Sequence, residues 1–188
     1  MNKGINTLSQ EQAKTLMEST WGLAQERDRQ MLTFLLQTGL KISEFVRLNV
    51  GDVFTGRRVR RSAVIPGAKG KPSRKIPLTR EAREAVAIIL DFNRYQGVSL
   101  TPSTPLVISR QKNRKDGSYR ITPRQVQRIV KTLREDASLG FKTTPQTLRH
   151  TFAREMLGHG GDMEVLQKLL GHRSIKTTRV LYGKSILG

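Results

Sequence analysis

The chain has 188 residues, of which 36% are hydrophobic and none is cysteine, and its formal net charge is +19 at pH 7. This length suits one domain with its own core, the lack of cysteine excludes disulfide bonds and thiolate zinc sites, and no apolar run is long enough to cross a membrane. The excess of 34 Lys and Arg over 15 Asp and Glu favours a nucleic acid as partner, because a polyanion relieves the repulsion among so many positive charges.

Helical patterns fill most of the first third of the chain. One helix is predicted after Ser9, which suits the N-cap position, and two more are predicted over 28–36 and 42–48. A Thr-Gly-Leu break at 38–40 separates these two helices. Over 53–78, apolar residues alternate with Arg, Lys, Gly and Pro, which predicts two or three short strands and a tight, basic hairpin tip.

The rest of the chain is predicted to be helical except for one long loop. The helices are expected over 80–95, 122–135, 144–157, 162–170 and 174–182, two of them beginning with a Thr-Pro pair. The intervening basic segment from 97 to 118 is either a solvated loop or a loop that contacts phosphates. The expected fold is therefore α+β and mostly helical, with a small antiparallel sheet packed on a helical bundle.

Four blocks of sequence, in chain order, resemble the tyrosine recombinase (phage integrase) family. The blocks are Thr38-Gly39-Leu40-Lys41-Ile42-Ser43-Glu44, a hairpin from Ala68-Lys69-Gly70 to Ile76-Pro77-Leu78, Thr144-Pro145-Gln146-Thr147-Leu148-Arg149-His150-Thr151-Phe152-Ala153, and Leu169-Leu170-Gly171-His172 followed by Tyr182. Because the resemblance extends over 38–182, the chain is identified as a member of this family. The resemblance implies an integrase-like catalytic domain.

The resemblance also implies an enzyme that cleaves and rejoins DNA strands through a 3′-phosphotyrosine intermediate, without a metal or another cofactor. Tyr182 matches the nucleophile, Arg149 a phosphate clamp, Lys69 the general acid on the hairpin, and His172 a hydrogen-bond donor to a non-bridging oxygen. These residue types suit the chemistry, because a guanidinium grips two phosphate oxygens and preplaced cations stabilise the charge of the transition state. The alternative is a packing tyrosine at Tyr182 and an ordinary solvated lysine at Lys69.

Two of the family's catalytic positions carry different residues in this sequence. Lys41 stands where the first arginine is expected, so the charge is kept but the bidentate fork is lost. Gln146 stands where a histidine is expected, and an amide cannot carry a proton at neutral pH. Lys41 and Gln146 remain candidate catalytic residues, and the changes predict either an attenuated or compensated enzyme or a relative that binds DNA without cleaving it. Tyr182 also follows His172 by ten residues, where nine is commoner in the family.

Other residues near these blocks are assigned lesser roles. His150 is interpreted as a supporting residue, and Arg47, Arg57 and Arg58 are candidates to supply the missing guanidinium. The histidines have no short ligand spacing and no acidic cluster beside them, so a metal site is not expected.

Three functions remain open from the sequence, and double-stranded DNA is the expected partner in each. They are a site-specific recombinase or integrase, a catalytically weakened DNA-binding relative, and a type IB topoisomerase-like enzyme that relaxes DNA. We expect residues 1–188 to form a single catalytic domain without the family's N-terminal core-binding domain. The protein is expected to be monomeric in solution, to associate with itself on DNA, and to lie in the bacterial cytoplasm, at the nucleoid when bound.

Overall fold

The computed structural model describes residues 5–18, 23–67, 72–109, 111–112, 117–140 and 142–183. In chain order the elements are α1 (Gln10–Glu18), α2 (Leu23–Thr38), α3 (Ile42–Phe45), α4 (Val50–Val53), β1 (Ser62–Ile65), β2 (Arg74–Pro77), α5 (Arg80–Tyr95), α6 (Pro123–Asp136), α7 (Pro145–Gly158), α8 (Met163–Leu170) and α9 (Ile175–Tyr182). The predicted α+β class, mostly helical with one small antiparallel sheet, is confirmed.

Helix α2 lies at the centre of the bundle, where it packs against α5 and α7. The core between these helices contains fully buried side chains such as Phe34, Ile89 and Leu148. A smaller apolar cluster, which includes Leu166, Leu170 and Tyr182, joins the last three helices. None of the described helices combines the length and the apolar character that a membrane span requires.

The sheet of the described residues is a two-stranded antiparallel hairpin. The sequence predicted two or three strands. Ala63 pairs with Ile76, and both are buried, whereas their neighbours alternate toward solvent. This period of two places one face of the hairpin on the helical core. A further pairing, between Phe54 and Val59, is an isolated bridge rather than a third strand.

Local capping explains most helix boundaries. Ser9 accepts a hydrogen bond from the Gln12 amide, and Thr122 and Thr144 cap α6 and α7 in the same way, each followed by proline at the first helical position. The helix predicted over 42–48 ends earlier, at Phe45. A second short helix, α4, follows it. At its start the backbone amide of Asn49 donates to the side-chain carboxylate of Asp52.

Candidate active site

Arg149 is a buried guanidinium held by main-chain carbonyls from two distant segments. The side chain, on α7, is 2% exposed. Its Nη1 donates to the carbonyl of Gly39 at 2.6 Å, and its Nη2 donates to the carbonyl of Leu170 at 2.8 Å. Arg149 therefore joins the segment after α2 to the end of α8, and burial lowers the pKa of its guanidinium while Glu44 and Tyr182 oppose that shift.

Two glycines allow these segments to approach the arginine. Gly39 has φ +59°, and a Cβ there would lie 2.3 Å from the ring of Phe152. Gly171 ends α8 with φ +65°, and a Cβ there would lie 2.8 Å from the guanidinium carbon of Arg74. A left-handed backbone and close packing both require glycine, so the Thr-Gly-Leu and Leu-Leu-Gly-His blocks have a structural explanation in addition to a chemical one.

His172 follows α8 and contacts both Arg149 and α9. Arg149 Nη2 lies 3.0 Å from His172 Nε2, and because a guanidinium only donates, Nε2 is the acceptor. The proton of the neutral ring therefore lies on Nδ1, which donates to the hydroxyl of Thr178 at 3.0 Å. Burial, together with the charges of Arg149 and Lys41, lowers the pKa of His172 to about 4, so the ring is neutral at pH 7.

Tyr182, at the end of α9, places its hydroxyl beside α7. The residue is 1% exposed, and His150 Nδ1 lies 2.7 Å from its hydroxyl oxygen. Burial raises the pKa of the phenol, and the charge of Arg149 acts in the opposite direction. The phenol is consequently protonated at neutral pH and lies close enough to Arg149 for their charges to interact.

Gln146 and His150 form a chain of side chains that leads to this phenol. The Gln146 side-chain nitrogen lies 3.1 Å from His150 Nε2, while Nδ1 of the same ring contacts Tyr182. The sequence interpretation assigned His150 a supporting role, and the structure places this residue in contact with Tyr182. Its four-residue spacing from Gln146 on one helix was the available signal, because such residues lie on the same helix face.

Arg149, His150, His172 and Tyr182 form a group of contacting side chains, here called the Arg149 cluster. Lys41 borders a basic groove next to this cluster. It is exposed, and its charge contributes to lowering the pKa of His172. The groove has a volume of about 770 Å³ and is lined, among others, by Gln146 and the basic residues Lys131, Arg134 and Lys142. Lys41 and Gln146 thus lie at one edge of the Arg149 cluster, beside a channel of positive charge.

Arg74 provides the second guanidinium near the cluster, and the sequence interpretation did not identify it. Its two terminal nitrogens bind the two carboxylate oxygens of Glu44 at 2.8 and 2.9 Å, and its Nε lies 3.3 Å from the carbonyl of Leu169. The charge of Arg74 acts on both Arg149 and His172. Because Arg74 lies in β2, it connects the hairpin to α3 and to the end of α8.

The other arginines proposed as substitutes do not have this position. The Arg47 side chain donates to the carbonyl of Ser43, and Arg57 and Arg58 are exposed in the turn after α4. Lys69, the expected general acid, lies outside the described residues. The structure therefore brings together five of the six residues predicted for the site, together with His150.

This arrangement has the parts that nucleophilic attack on a phosphodiester requires. Tyr182 offers an oxygen nucleophile, and the charge of Arg149 acts on it. Lys41 and Arg74 add positive charge near His172. Among the described residues, three of the five guanidinium N–H groups of Arg149 are used in the bonds to Gly39, Leu170 and His172, which leaves two for an anion.

Comparison with known proteins identifies the family to which the chain belongs. The sequence model described as the phage integrase family matches residues 6–185. Tyrosine recombinase XerC of Thermodesulfovibrio yellowstonii is 33% identical over 158 residues, which cover 82% of this chain and 49% of the relative. Tyrosine recombinase XerC of Rhodospirillum centenum is 35% identical over 170 residues, which cover 90% of this chain and 45% of the relative. The chain thus spans about half the length of these curated relatives.

Solved structures show the same fold. The crystal structure of XerA recombinase superposes with a TM-score of 0.78 at 26% identity, covering 96% of this chain and 60% of that one. XerH site-specific recombinase bound to palindromic difH substrate superposes with a TM-score of 0.76 at 21% identity, covering 98% of this chain and 51% of that one. The chain therefore belongs to the phage integrase family and has the fold of its tyrosine recombinase catalytic domain.

Proposed function

We propose that this chain cleaves and rejoins DNA strands in site-specific recombination, through a 3′-phosphotyrosine intermediate on Tyr182. The observation that carries the proposal is the convergence of Tyr182, Arg149 and His172 from α9, α7 and the turn after α8. Relatives that share about a third of the sequence are named tyrosine recombinases, which does not favour a topoisomerase or a binding-only protein.

Each residue of the cluster has a role in this chemistry. Tyr182 attacks the phosphorus, and Arg149 binds non-bridging oxygens with its two remaining N–H groups. Lys41 adds a single positive charge at the edge of the groove. His172 donates to a phosphate oxygen through Nε2, which requires its proton to move from Nδ1 and Arg149 to release that nitrogen.

Lys69 is proposed, from the family resemblance, to protonate the 5′-oxygen that leaves. This role predicts that Lys69→Ala slows cleavage of an ordinary duplex by about 10²–10⁴-fold. A duplex with sulfur in place of the bridging 5′-oxygen should restore the rate, since a thiolate is a good leaving group without a proton.

The basic grooves are proposed as the path of the DNA backbone. One is the groove that contains Lys41 and Lys142. A second, of about 850 Å³, lies beside the hairpin and is lined by Arg61, Lys75, Arg83 and other basic residues. Both grooves are lined by several cations, which suits contact with a phosphate backbone.

We further propose that the chain acts as one catalytic domain and that copies associate on DNA, since strand exchange needs more than one cleaved strand. The site of action is then wherever chromosomal DNA lies, which in bacteria is the cytoplasm.

The test is covalent trapping on a nicked suicide duplex with a randomised centre, from which the short cleaved end diffuses away. The account predicts a protease-sensitive adduct that Tyr182→Phe abolishes. Tyr95→Phe is the matched control, because Tyr95 is 74% exposed at the end of α5 and belongs to no cluster. If the protein binds the duplex but Tyr182→Phe still forms adduct, the assignment of the nucleophile is wrong.

A further inference from the structure

We propose that His150 accepts the proton of Tyr182 when the tyrosine attacks and returns it when the strand is rejoined, and that Gln146 holds the opposite nitrogen of the imidazole. This inference rests on the proposed function. It assigns a catalytic role to a residue outside the expected set, and it gives Gln146 a task that does not require it to carry a proton.

The geometry supports a direct transfer. His150 Nδ1 lies 2.7 Å from the Tyr182 hydroxyl oxygen, within the range of a short hydrogen bond, and the two rings meet edge to face with centroids 5.6 Å apart. Both partners sit on packed helices, α7 and α9, so the contact does not depend on a loop. In the described part of the chain, His150 is the side chain at hydrogen-bonding distance from this oxygen.

The other neighbours are poorly suited to accept the proton. Gln146 is an amide and cannot be protonated near neutral pH. His172 has both nitrogens engaged, one by Arg149 and the other by Thr178. Because burial raises the pKa of Tyr182, attack at neutral pH needs an acceptor, and His150 is in the right place.

The surroundings of His150 keep it in the basic, neutral form. Burial lowers its pKa below 6.5, and the adjacent charge of Arg149 lowers it further. His172, whose own pKa is affected by His150, is neutral as well. At pH 7 the His150 ring is therefore neutral and can take up one proton, and it loses that capacity only as the pH falls through its lowered pKa.

Gln146 can support both protonation states of the imidazole. Its side-chain nitrogen faces His150 Nε2 at 3.1 Å, which places the ring proton on Nδ1, where it donates to the Tyr182 oxygen. A half-turn of the amide presents oxygen instead, which accepts from Nε2–H and leaves Nδ1 free to accept from the phenol. The two forms differ in which amide atom, nitrogen or oxygen, faces His150 Nε2, and the other heavy atoms keep their positions.

Each proton that moves in cleavage and rejoining has a donor and an acceptor among these groups. The Tyr182 oxygen forms a bond to phosphorus as its proton passes to His150 Nδ1, and the bond from phosphorus to the 5′-oxygen breaks. The leaving oxygen takes its proton from the general acid proposed at Lys69. In rejoining, the 5′-hydroxyl oxygen bonds to phosphorus as its proton returns to the amine proposed at Lys69. The bond from phosphorus to the Tyr182 oxygen breaks, and the imidazolium of His150 protonates the departing phenolate.

The test compares His150→Asn with wild type in single-turnover adduct formation across pH 5 to 9, on a duplex selected by trapping. Asparagine places an amide near the position of Nδ1 but cannot take up a proton. We expect a rate lower by about 10²–10⁴-fold at pH 7. We also expect the variant to lose the acid-side decline in rate that protonation of His150 should cause in wild type as the pH falls through the lowered pKa. His159→Asn is the matched control, since His159 caps the far end of the same helix and contacts Glu155.

Two further measurements separate catalysis from positioning. The 5′-sulfur duplex should rescue Lys69→Ala but not His150→Asn, because it removes the need for an acid and not for a base. Gln146→Leu, which leaves the His150 ring in place, should reduce the rate and change the pH at which the acid-side decline occurs.

The outcomes distinguish this inference from the function on which it rests. If His150→Asn and the more conservative His150→Gln both cleave at the wild-type rate, or retain the acid-side decline, the proton-acceptor role is overturned. If wild type binds the selected duplex and forms no adduct, the proposed function falls, and this inference falls with it.

Discussion

At the scale of single residues, the site depends on a buried arginine whose partners are main-chain carbonyls. Arg149 binds the carbonyls of Gly39 and Leu170, so the same side chain that would grip a phosphate also holds two segments together. A buried donor left without its acceptor costs about 1–3 kcal/mol. Substitutions here therefore affect folding and chemistry together, and the glycines around the arginine are the cleaner probes.

Gly39→Ala tests whether the Thr-Gly-Leu block has this structural role. The alanine must adopt φ +59° and meet the Phe152 ring at 2.3 Å, so we expect a loss of about 2–5 kcal/mol in the free energy of unfolding. Gly97→Ala is the control: its φ of +73° carries a similar backbone cost, but a Cβ there meets open space. Urea unfolding measures both, and equal losses would contradict the packing argument.

Lys41→Arg tests whether the lack of a guanidinium at this position limits the rate of DNA cleavage. Lys41 borders the groove beside Gln146, where an arginine could bind two phosphate oxygens. We expect faster single-turnover cleavage, by up to about 10²-fold, with little change in stability because the residue is exposed. An unchanged rate would indicate that Lys41 already suffices, with Arg74 providing the second guanidinium nearby.

The sequence indicated the site through residue types whose order in the chain is distinctive. Arg149, His172 and Tyr182 could be assigned by resemblance because each lies in a recognisable block. His150 and Arg74 could not be ranked in the same way, since their importance depends on what they touch across the fold: a phenol on α9 and a carboxylate on α3. Such contacts have no local pattern in the sequence.

At the scale of elements, Arg74 is the point where the hairpin meets the helices of the site. It links β2 to Glu44 in α3 and to the carbonyl of Leu169 in α8. Burial tends to raise the pKa of Glu44, but the hydrogen bonds and charge of Arg74, together with the Lys41 backbone and the charge of Arg149, outweigh it and hold that pKa below 4.5. The pair therefore stabilises the protein above pH 4.5, and the contribution is lost as the pH falls through the lowered pKa.

Arg74→Gln should consequently destabilise the protein in a pH-dependent way. We expect a loss of about 1–3 kcal/mol at pH 7, because the half-buried Glu44 carboxylate loses a bidentate partner. The difference in the free energy of unfolding between the variant and wild type should become smaller below pH 4.5, where Glu44 becomes protonated. Arg80→Gln, which breaks the exposed pair with Glu84, should show no such narrowing in urea unfolding at the same pH values.

Element boundaries were predictable where capping residues define them. The Thr-Pro pairs fix the starts of α6 and α7, and the left-handed Gly171 fixes the end of α8. The short helix α4 was missed because its four residues, Val50–Val53, are too few to show a helical period. Its start is held by the Asp52 side chain and by the carbonyls of Thr104 and Pro102, which lie far away in the sequence.

At the scale of the whole molecule, the net charge of +19 predicts that the proposed binding to DNA depends strongly on salt. If 6–10 phosphates are neutralised, affinity should fall by about 10³–10⁵-fold between 50 and 200 mM salt. Lys142→Gln, in the groove, should make the slope of log K against log salt concentration shallower by about one. Lys14→Gln, whose charge is paired with Glu18 on α1, should leave the slope unchanged.

Peptide mapping of the trapped protein–DNA adduct tests whether Tyr182 is the residue that joins to DNA. After digestion with protease and nuclease, mass spectrometry identifies the residue that carries the remaining nucleotide. The account predicts a single modified peptide, with the nucleotide joined through its 3′-phosphate to Tyr182. A nucleotide on any other residue, or the absence of a nucleotide from every peptide, would contradict the assignment of Tyr182 as the nucleophile.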